Sequence, residues 1–443
     1  LRITIFIILL LLTTAFIQRL IPSHTALPGA EVVLMLGFVL LAAYLLGKSV
    51  TRIRLPKISG YLLAGILLGP YFLNYLSSST VGELKLIDDI ALSLIALTAG
   101  GEFRLSNVRQ KWRLLTSVIS WQIVIVLCGV TAGILLLSPW LGFINQQPLR
   151  VVLGIGLIFG SLAIAKSPAT TIAIITESKA RGPLTDLVLE VTVAKDIIVV
   201  LVFAVILAFA EPLVLPGQEM RLQYVLSVLG EISLSLFVGG VAGYLIYSYM
   251  KYVKQQTFIF LMGFILLIIE VSRLAHLEIV LVFMMAGFMI QNFSKHGDEL
   301  IHAIESNSLP VYVTFFTIAG ASLNFDLFIK NWVFTLLIVG LRLGTTQIGT
   351  WLGSRFTTTN VFIRRYSWMG FIGQAGVTLG LSIIVGRTLP GEIGNFIKTI
   401  MIAAIAINQL LGPVLFRFAL DKAGEVSATA AKPAVVLTSA QKK

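Results

Sequence analysis

Residues Pro183 to Glu211 read PLTDLVLEVTVAKDIIVVLVFAVILAFAE, an apolar run that carries Asp186, Glu190, Lys195 and Asp196. About 20 apolar residues suffice for a helix to cross the hydrocarbon core, so the run is long enough to span a bilayer. Lys195 and Asp196 sit near its middle. A charge at that depth costs about 2.5–3.5 kcal/mol on insertion scales, so it faces a polar cavity or a partner and marks an ion or proton path.

Composition outside this run agrees with a membrane setting. The 443 residues are 57% hydrophobic and 12% charged, with a mean hydropathy of +0.94, far above a soluble chain of this length. Cys128 is the one cysteine, so no disulfide framework exists. The four histidines lack metal-ligand spacing, and no nucleophile-base pair, metal motif or phosphate loop is present. The expectation is a transporter rather than an enzyme, without cofactor. The net charge of +12 sits largely in loops between apolar spans, so no nucleic-acid partner is implied.

Segments of spanning length fall at roughly 1–20, 31–50, 56–76, 85–102, 112–138, 149–177, 183–211, 222–250, 256–274, 277–292, 306–329, 331–355, 362–388 and 393–419, predicting an all-α polytopic protein with about 13–14 transmembrane helices. Arg2 before an apolar stretch resembles a signal peptide, but Ile17-Gln18-Arg19 is a poor cleavage site, which favours a retained first helix. Leu1 in place of Met points to a longer or processed chain, in which a regulatory segment would be missing. Basic residues cluster in alternate loops, at Lys48, Arg52, Arg54 and Lys57, at Arg104, Arg109, Lys111 and Arg113, and at Arg355, Arg364 and Arg365. Those loops are expected in the cytoplasm, together with the C-terminus. A loop holding Lys295, His296, Asp298, Glu299, His302 and Glu305 is expected to be solvated, and 421–443 reads as a disordered tail.

An internal repeat is visible. Thr98 to Trp112, TAGGEFRLSNVRQKW, matches Ile318 to Trp332, IAGASLNFDLFIKNW, at a separation of 220. Leu63-Ala64-Gly65 matches Met285-Ala286-Gly287 at 222. The chain then divides into an extra segment 1–30, a six-helix unit 31–211, a linker helix within 212–255, a second unit 256–420 and the tail. Six helices and a linker bring the second copy in from the opposite face, the inverted-repeat plan of secondary transporters.

Two spans are interrupted at equivalent places. AIAKSPATT breaks the first, with Lys166, Ser167, Pro168, Thr170 and Thr171 at mid-depth. GFIGQAGVTLG breaks the second, with Gln374 and Thr378 among four glycines. Unwound backbone at this depth exposes amides and carbonyls to an ion, and the following helix supplies the carboxylate or its counterpart.

These features together resemble the monovalent cation:proton antiporter-2 family over about 31–420. The resemblance rests on SGYLLAGILLGP at Ser59 to Pro70, AKSPATTIAIITESKARGPLTD at Ala165 to Asp186, the Lys195-Asp196 pair, FFTIAGASLNFD at Phe315 to Asp326 and GPVLFRFAL at Gly412 to Leu420. It implies an NhaA/NapA-like fold with two crossed discontinuous helices, a homodimer in the bacterial inner membrane, and elevator-type exchange of Na⁺ or K⁺ for protons at Asp196. It also implies that Arg342 acts structurally near the crossover. Lys195 and Lys166 depart from the family pattern, which has Asp, Asn or Gln at the first position and a small polar residue at the second.

Several placements stay open at this point. Adjacent helical residues project about 100° apart, so Lys195 need not meet Asp196, whereas Thr192 shares its face. Lys166 either approaches Asp196 from the crossing helix as an internal cation or is structural. Either lysine is open to pairing with Glu190. If the lysines occupied the cation site, the same scaffold would be a transport-silent pH or ion sensor, or a channel-like path.

Overall fold

In a bilayer no water satisfies backbone amides and carbonyls, so each span closes its own hydrogen bonds as a helix. The computed structural model describes residues 30–53, 55–77, 81, 84–215, 222–322, 329, 331–389 and 391–426. No strand occurs among the described residues. The helices are α1 (Ala30–Val50), α2 (Lys57–Leu68), α3 (Lys85–Glu102), α4 (Leu105–Leu137), α5 (Leu149–Ile164), α6 (Pro168–Ser178), α7 (Pro183–Val214) and α8 (Leu222–Tyr252). They continue with α9 (Thr257–Leu274), α10 (Ile279–Phe293), α11 (Gly297–Asn307), α12 (Leu309–Ala321), α13 (Trp332–Arg355), α14 (Val361–Tyr366), α15 (Gly376–Thr388) and α16 (Glu392–Ala423).

Thirteen of the fourteen expected spans fall on these helices or helix pairs. The first, 1–20, lies outside the described residues, as do the tail beyond 426, Arg54, and 323–328 and Lys330 within the second repeat motif. Among the described residues six helices are long and apolar enough to cross a membrane, and α7, bent by 42° after Asp196, makes a seventh. The larger sequence count includes shorter apolar helices such as α2, α10 and α12. The expected solvated loop near residue 300 is instead helix α11. It buries Leu300, Ile301 and Ile304 and carries Asp298 and Glu299 in its first turn, where the helix dipole favours acids.

The helices pack in two groups. In one, α4 lies along α13 and α5, α5 along α7, and α15 along α16. In the other, α3 lies along α10, α2 along α12 and α1, and α10 along α8. Close approach in the second group depends on glycine. A methyl group on Gly65 would stand 1.9 Å from the Thr317 carbonyl oxygen and one on Gly320 2.2 Å from that of Leu62, joining α2 to α12. A methyl group on Gly287 would stand 2.1 Å from the Leu97 oxygen and one on Gly100 1.9 Å from that of Met284, joining α10 to α3. The two sets of contacts exchange at the separations of 220 and 222 read from the sequence. Small residues let backbones touch where lipid supplies no hydrophobic drive.

On the side of the basic loops the helix ends are tied together. The Glu177 carboxylate accepts from the backbone amides of Lys57 at 2.7 Å and Ile58 at 3.3 Å, capping α2. Lys111 pairs with Asp186 at 3.0 Å, and Arg104 with Asp298 at 2.5 Å. After α16, Gly424 turns the chain at φ +71°, a region that favours glycine. Glu425 then accepts from the Leu184 and Thr185 amides, each at 2.7 Å, and from Thr185 Oγ1 at 2.6 Å, capping α7.

Candidate functional site

Both interrupted spans unwind, and the two breaks meet. The first leaves helix at Ala165 and resumes at Pro168, so Ala165, Lys166 and Ser167 are extended. Pro168 starts α6 at its first turn, where its missing N–H and fixed φ suit a helix start; it does not kink a continuous helix. Ser167 caps α6, its hydroxyl accepting from the Thr170 amide at 3.4 Å. The second span tightens from α14 into a 3₁₀ turn at Ser367–Phe371 and is unwound at 372–375. Thr378 therefore lies within the first turn of α15 rather than in the break. The Ser167 amide donates to the Gly373 carbonyl at 2.9 Å, joining the two breaks directly.

Carbonyls at the ends of α5 and of the 3₁₀ turn have no helical partner. Arg342, from α13 and 1% exposed, satisfies them. Its Nε donates to Ala163 at 2.9 Å, Nη2 to Ala165 at 3.0 Å and Phe371 at 3.1 Å, and Nη1 to Ile372 at 2.6 Å. A guanidinium offers five donors in a fixed planar fork, enough for all four carbonyls, where an ammonium has three. Gln374 Nε2 donates to Leu162 at 3.1 Å and Ala165 at 3.2 Å, and its oxygen accepts from Asn408 Nδ2 at 2.8 Å.

Asp196 lies beside this crossing, 4% exposed, and its Oδ2 is buried without a hydrogen-bond partner. The carboxylate lines a cavity of about 480 Å³ with Ser167, Pro168 and Ala169 from the break, Val377 from α15 and Val200 from α7. Asp88, Asp89 and Glu278 also line the cavity. Asp89 is paired with Arg273, which also binds Glu270 at 2.6 Å.

Neither unusual lysine is paired with Asp196. Lys166 Nζ donates to Thr192 Oγ1, whose own hydroxyl donates to the Val188 carbonyl, and lies 4.7 Å from the centroid of the Phe371 ring. Lys195 Nζ donates to Gln122 Oε1 on α4 at 2.7 Å. Gln122 is fixed in turn by donating to Thr350 Oγ1 at 2.7 Å, and Thr350 donates to the Thr346 carbonyl at 2.7 Å. The ion pairs among the described residues lie elsewhere. Lys166, Glu278 and Lys195 are the charged groups that act electrostatically on Asp196.

Glu190 does not meet Lys195, because five residues along a helix turn the side chain about 140° away. One of its oxygens, Oε2, is buried without a partner. Thr171 Oγ1 donates to the Ser167 carbonyl at 3.3 Å, while the hydroxyls of Thr170 and Thr378 are buried and unpartnered. Thr192 holds Lys166. Sequence reasoning passed over Gln122, Thr350, Asn408 and Glu278. Gln122 and Asn408 are amides inside long apolar runs, a signal that was available.

Comparison with known proteins places the chain in a family. A family model described as sodium/hydrogen exchanger, transmembrane, matches residues 36–422. The Na(+)/H(+) antiporter of Enterococcus hirae is 21% identical over 384 residues, covering 86% of this chain and 96% of that protein. The iron transporter MagA of Paramagnetospirillum magneticum is 26% identical over 194 residues, 44% of this chain and 41% of MagA. The solved sodium proton antiporter MjNhaP1 of Methanocaldococcus jannaschii at pH 8 shares the fold, with a TM-score of 0.62 at 18% identity, covering 90% of this chain and 98% of that one. This chain belongs to the sodium/hydrogen exchanger transmembrane family.

Proposed function

We propose that the protein exchanges a monovalent cation, Na⁺ or K⁺, for protons by alternating access, with Asp196 as the carboxylate that carries either. The observation that carries this reading is the buried, unpartnered oxygen of Asp196, a residue that lines a cavity beside the two helix breaks. A carboxylate, a hydroxyl and exposed backbone suit a hard, singly charged cation, and the same carboxylate takes a proton when the cation leaves. Thr192 and Gln122 keep the two lysines off Asp196, which favours exchange over a sensor whose lysines fill the site.

The cavity separates the two packing groups: Asp88 and Leu281 line it from α3 and α10, Asp196 and Val377 from α7 and α15. That division supports an elevator in which the group bearing the breaks slides against the other, with units 31–211 and 256–420 related as inverted repeats. Membership of the cation:proton antiporter-2 branch, a homodimer in a bacterial inner membrane and a cytoplasmic C-terminus complete the reading.

The test is cation-driven proton flux in proteoliposomes with a lumenal pH dye, under Na⁺, K⁺ and Li⁺ pulses. Flux in the wild type that Asp196→Asn abolishes supports the proposal. No flux in the wild type, with flux gained in Lys166→Thr, would replace it with the sensor reading.

A further inference from the structure

Glu177, the penultimate residue of α6, makes a hydrogen-bonded contact between the two packing groups. Its own helix is the second half of the first broken span and is joined to the other break by the bond from the Ser167 amide to Gly373. The helix it touches, α2, belongs to the other group through the close approaches at Gly65 and Gly320. The first amides of α2 need an acceptor from outside, because its N-cap residue is Pro56, whose side chain offers none. Glu177 supplies it, accepting from Lys57 at 2.7 Å and Ile58 at 3.3 Å, where the helix dipole also favours a carboxylate. Lys57 and Arg417 act on it electrostatically as nearby cations.

Arg104 and Leu105 also bond across the groups, to Asp298 and Asn292, but they lie where the chain itself passes from α3 to α4. That contact is a joint that follows both groups. Glu177 has no such tie, since 119 positions separate it from Ile58. The seam around it is packed: Ile58 is 4% exposed, and so is Ala173, one turn before Glu177 on the same face of α6. The cavity beside Asp196 lies towards the other side, where Asp88 at the start of α3, Glu278 before α10 and Ile384 late in α15 line it.

We propose that Glu177 is the latch of this state, holding the group that bears the breaks against α2, and that it releases the first turn of α2 whenever Asp196 is opened towards the basic loops. It is a positioning residue, touching neither Asp196 nor the cavity. A contact made in one of two states biases their ratio by its own strength, so its loss favours the state in which α6 and α2 are parted. The inference rests on the alternating-access reading and adds to it the contact that each turnover breaks and remakes.

The test uses the full chain in proteoliposomes, with Cys128→Ser as background. Lys57→Cys with Glu177→Cys is bridged by a short bifunctional thiosulfonate, and the bridge is read by mass spectrometry. Bridging is expected to stop flux until the linker is reduced. Lys111→Cys with Asp186→Cys, a contact within one group, is bridged as control and is expected to keep flux. Separately, Ala173→Cys reports the seam one turn deeper than the cap, where fraying of α2 alone does not reach. Its reaction with an impermeant maleimide from the basic face is expected to quicken about tenfold when Glu177→Ala is added, the scale of one lost cap. Glu177→Gln, which keeps one acceptor oxygen, is expected to quicken it less. Unchanged flux through a complete 57–177 bridge would overturn the latch, and so would Ala173→Cys labelling that Glu177→Ala leaves unaltered; either leaves the exchange reading standing. A wild type without flux would overturn the exchange reading, and the labelling would still decide whether Glu177 holds the seam.

Discussion

Arg342 is the residue on which the crossing depends, since one buried guanidinium serves four carbonyls from two broken spans. Each buried acceptor left unpaired costs about 1–3 kcal/mol, so Arg342→Ala is expected to destabilise the fold by about 3 kcal/mol or more, read as a lowered unfolding midpoint in detergent. Arg342→Lys, a point charge, should recover only part of the loss. Lys166 makes a different prediction. It acts on Asp196 from the Thr192 position, so under the proposed mechanism its ammonium competes with the transported cation. Lys166→Thr should keep exchange and tighten apparent cation affinity about tenfold, equivalent to about 1.4 kcal/mol, measured as the half-saturating cation concentration for flux. Asp196 and Lys166 stood out in the sequence because charge in an apolar run is costly. Their partners did not, since nothing local says which neighbouring helix presents Thr192 or Gln122.

At the scale of the element, the breaks were legible because their causes are backbone properties written in the chain. Pro168 cannot continue a helix, and Gly373 lies where a methyl group would approach Thr170 Cγ2 to 3.0 Å. Their ends were read less well, as Thr378 shows, because a helix resumes wherever its cap falls. Helix α11 was passed over although Leu300, Ile301 and Ile304 recur at helical spacing; its density of charge argued for a loop. Helix contacts through glycine give a direct test. Gly320→Ala places a carbon 2.2 Å from the Leu62 oxygen, so α2 and α12 must separate, and a marked drop in thermal stability is expected. Gly340→Ala, with open space around the added carbon, should leave stability within about 1 kcal/mol of wild type or raise it, given the better helix propensity of alanine.

For the molecule as a whole, the sequence carried the class, because bilayer length is a global pattern. It did not carry the conformational state. Under the proposed mechanism, which side is open depends on how the two packing groups sit against each other, and both positions use the same sequence. The cavity predicts an accessibility pattern in oriented vesicles. With Cys128→Ser as background, Leu92→Cys in the cavity wall should react with a membrane-impermeant maleimide added from the face opposite the basic loops, and not from the other face. Labelling from the basic face alone would reverse the proposed orientation.

The Glu425 cap gives the last helix a mechanical consequence. The chain beyond α16 is moored to the first turn of α7, the helix that carries Asp196, by three hydrogen bonds to one carboxylate. A load applied to the C-terminus, whether a fused protein or a tether, is therefore shared between α16, to which it is covalently joined, and the start of α7. Pulling hard enough to free Glu425 uncaps that helix at a cost of about 1–2 kcal/mol. A bulky C-terminal fusion is thus a way of leaning on α7 from outside the membrane, and Glu425→Gln, which weakens the mooring, should make flux less sensitive to the fused load.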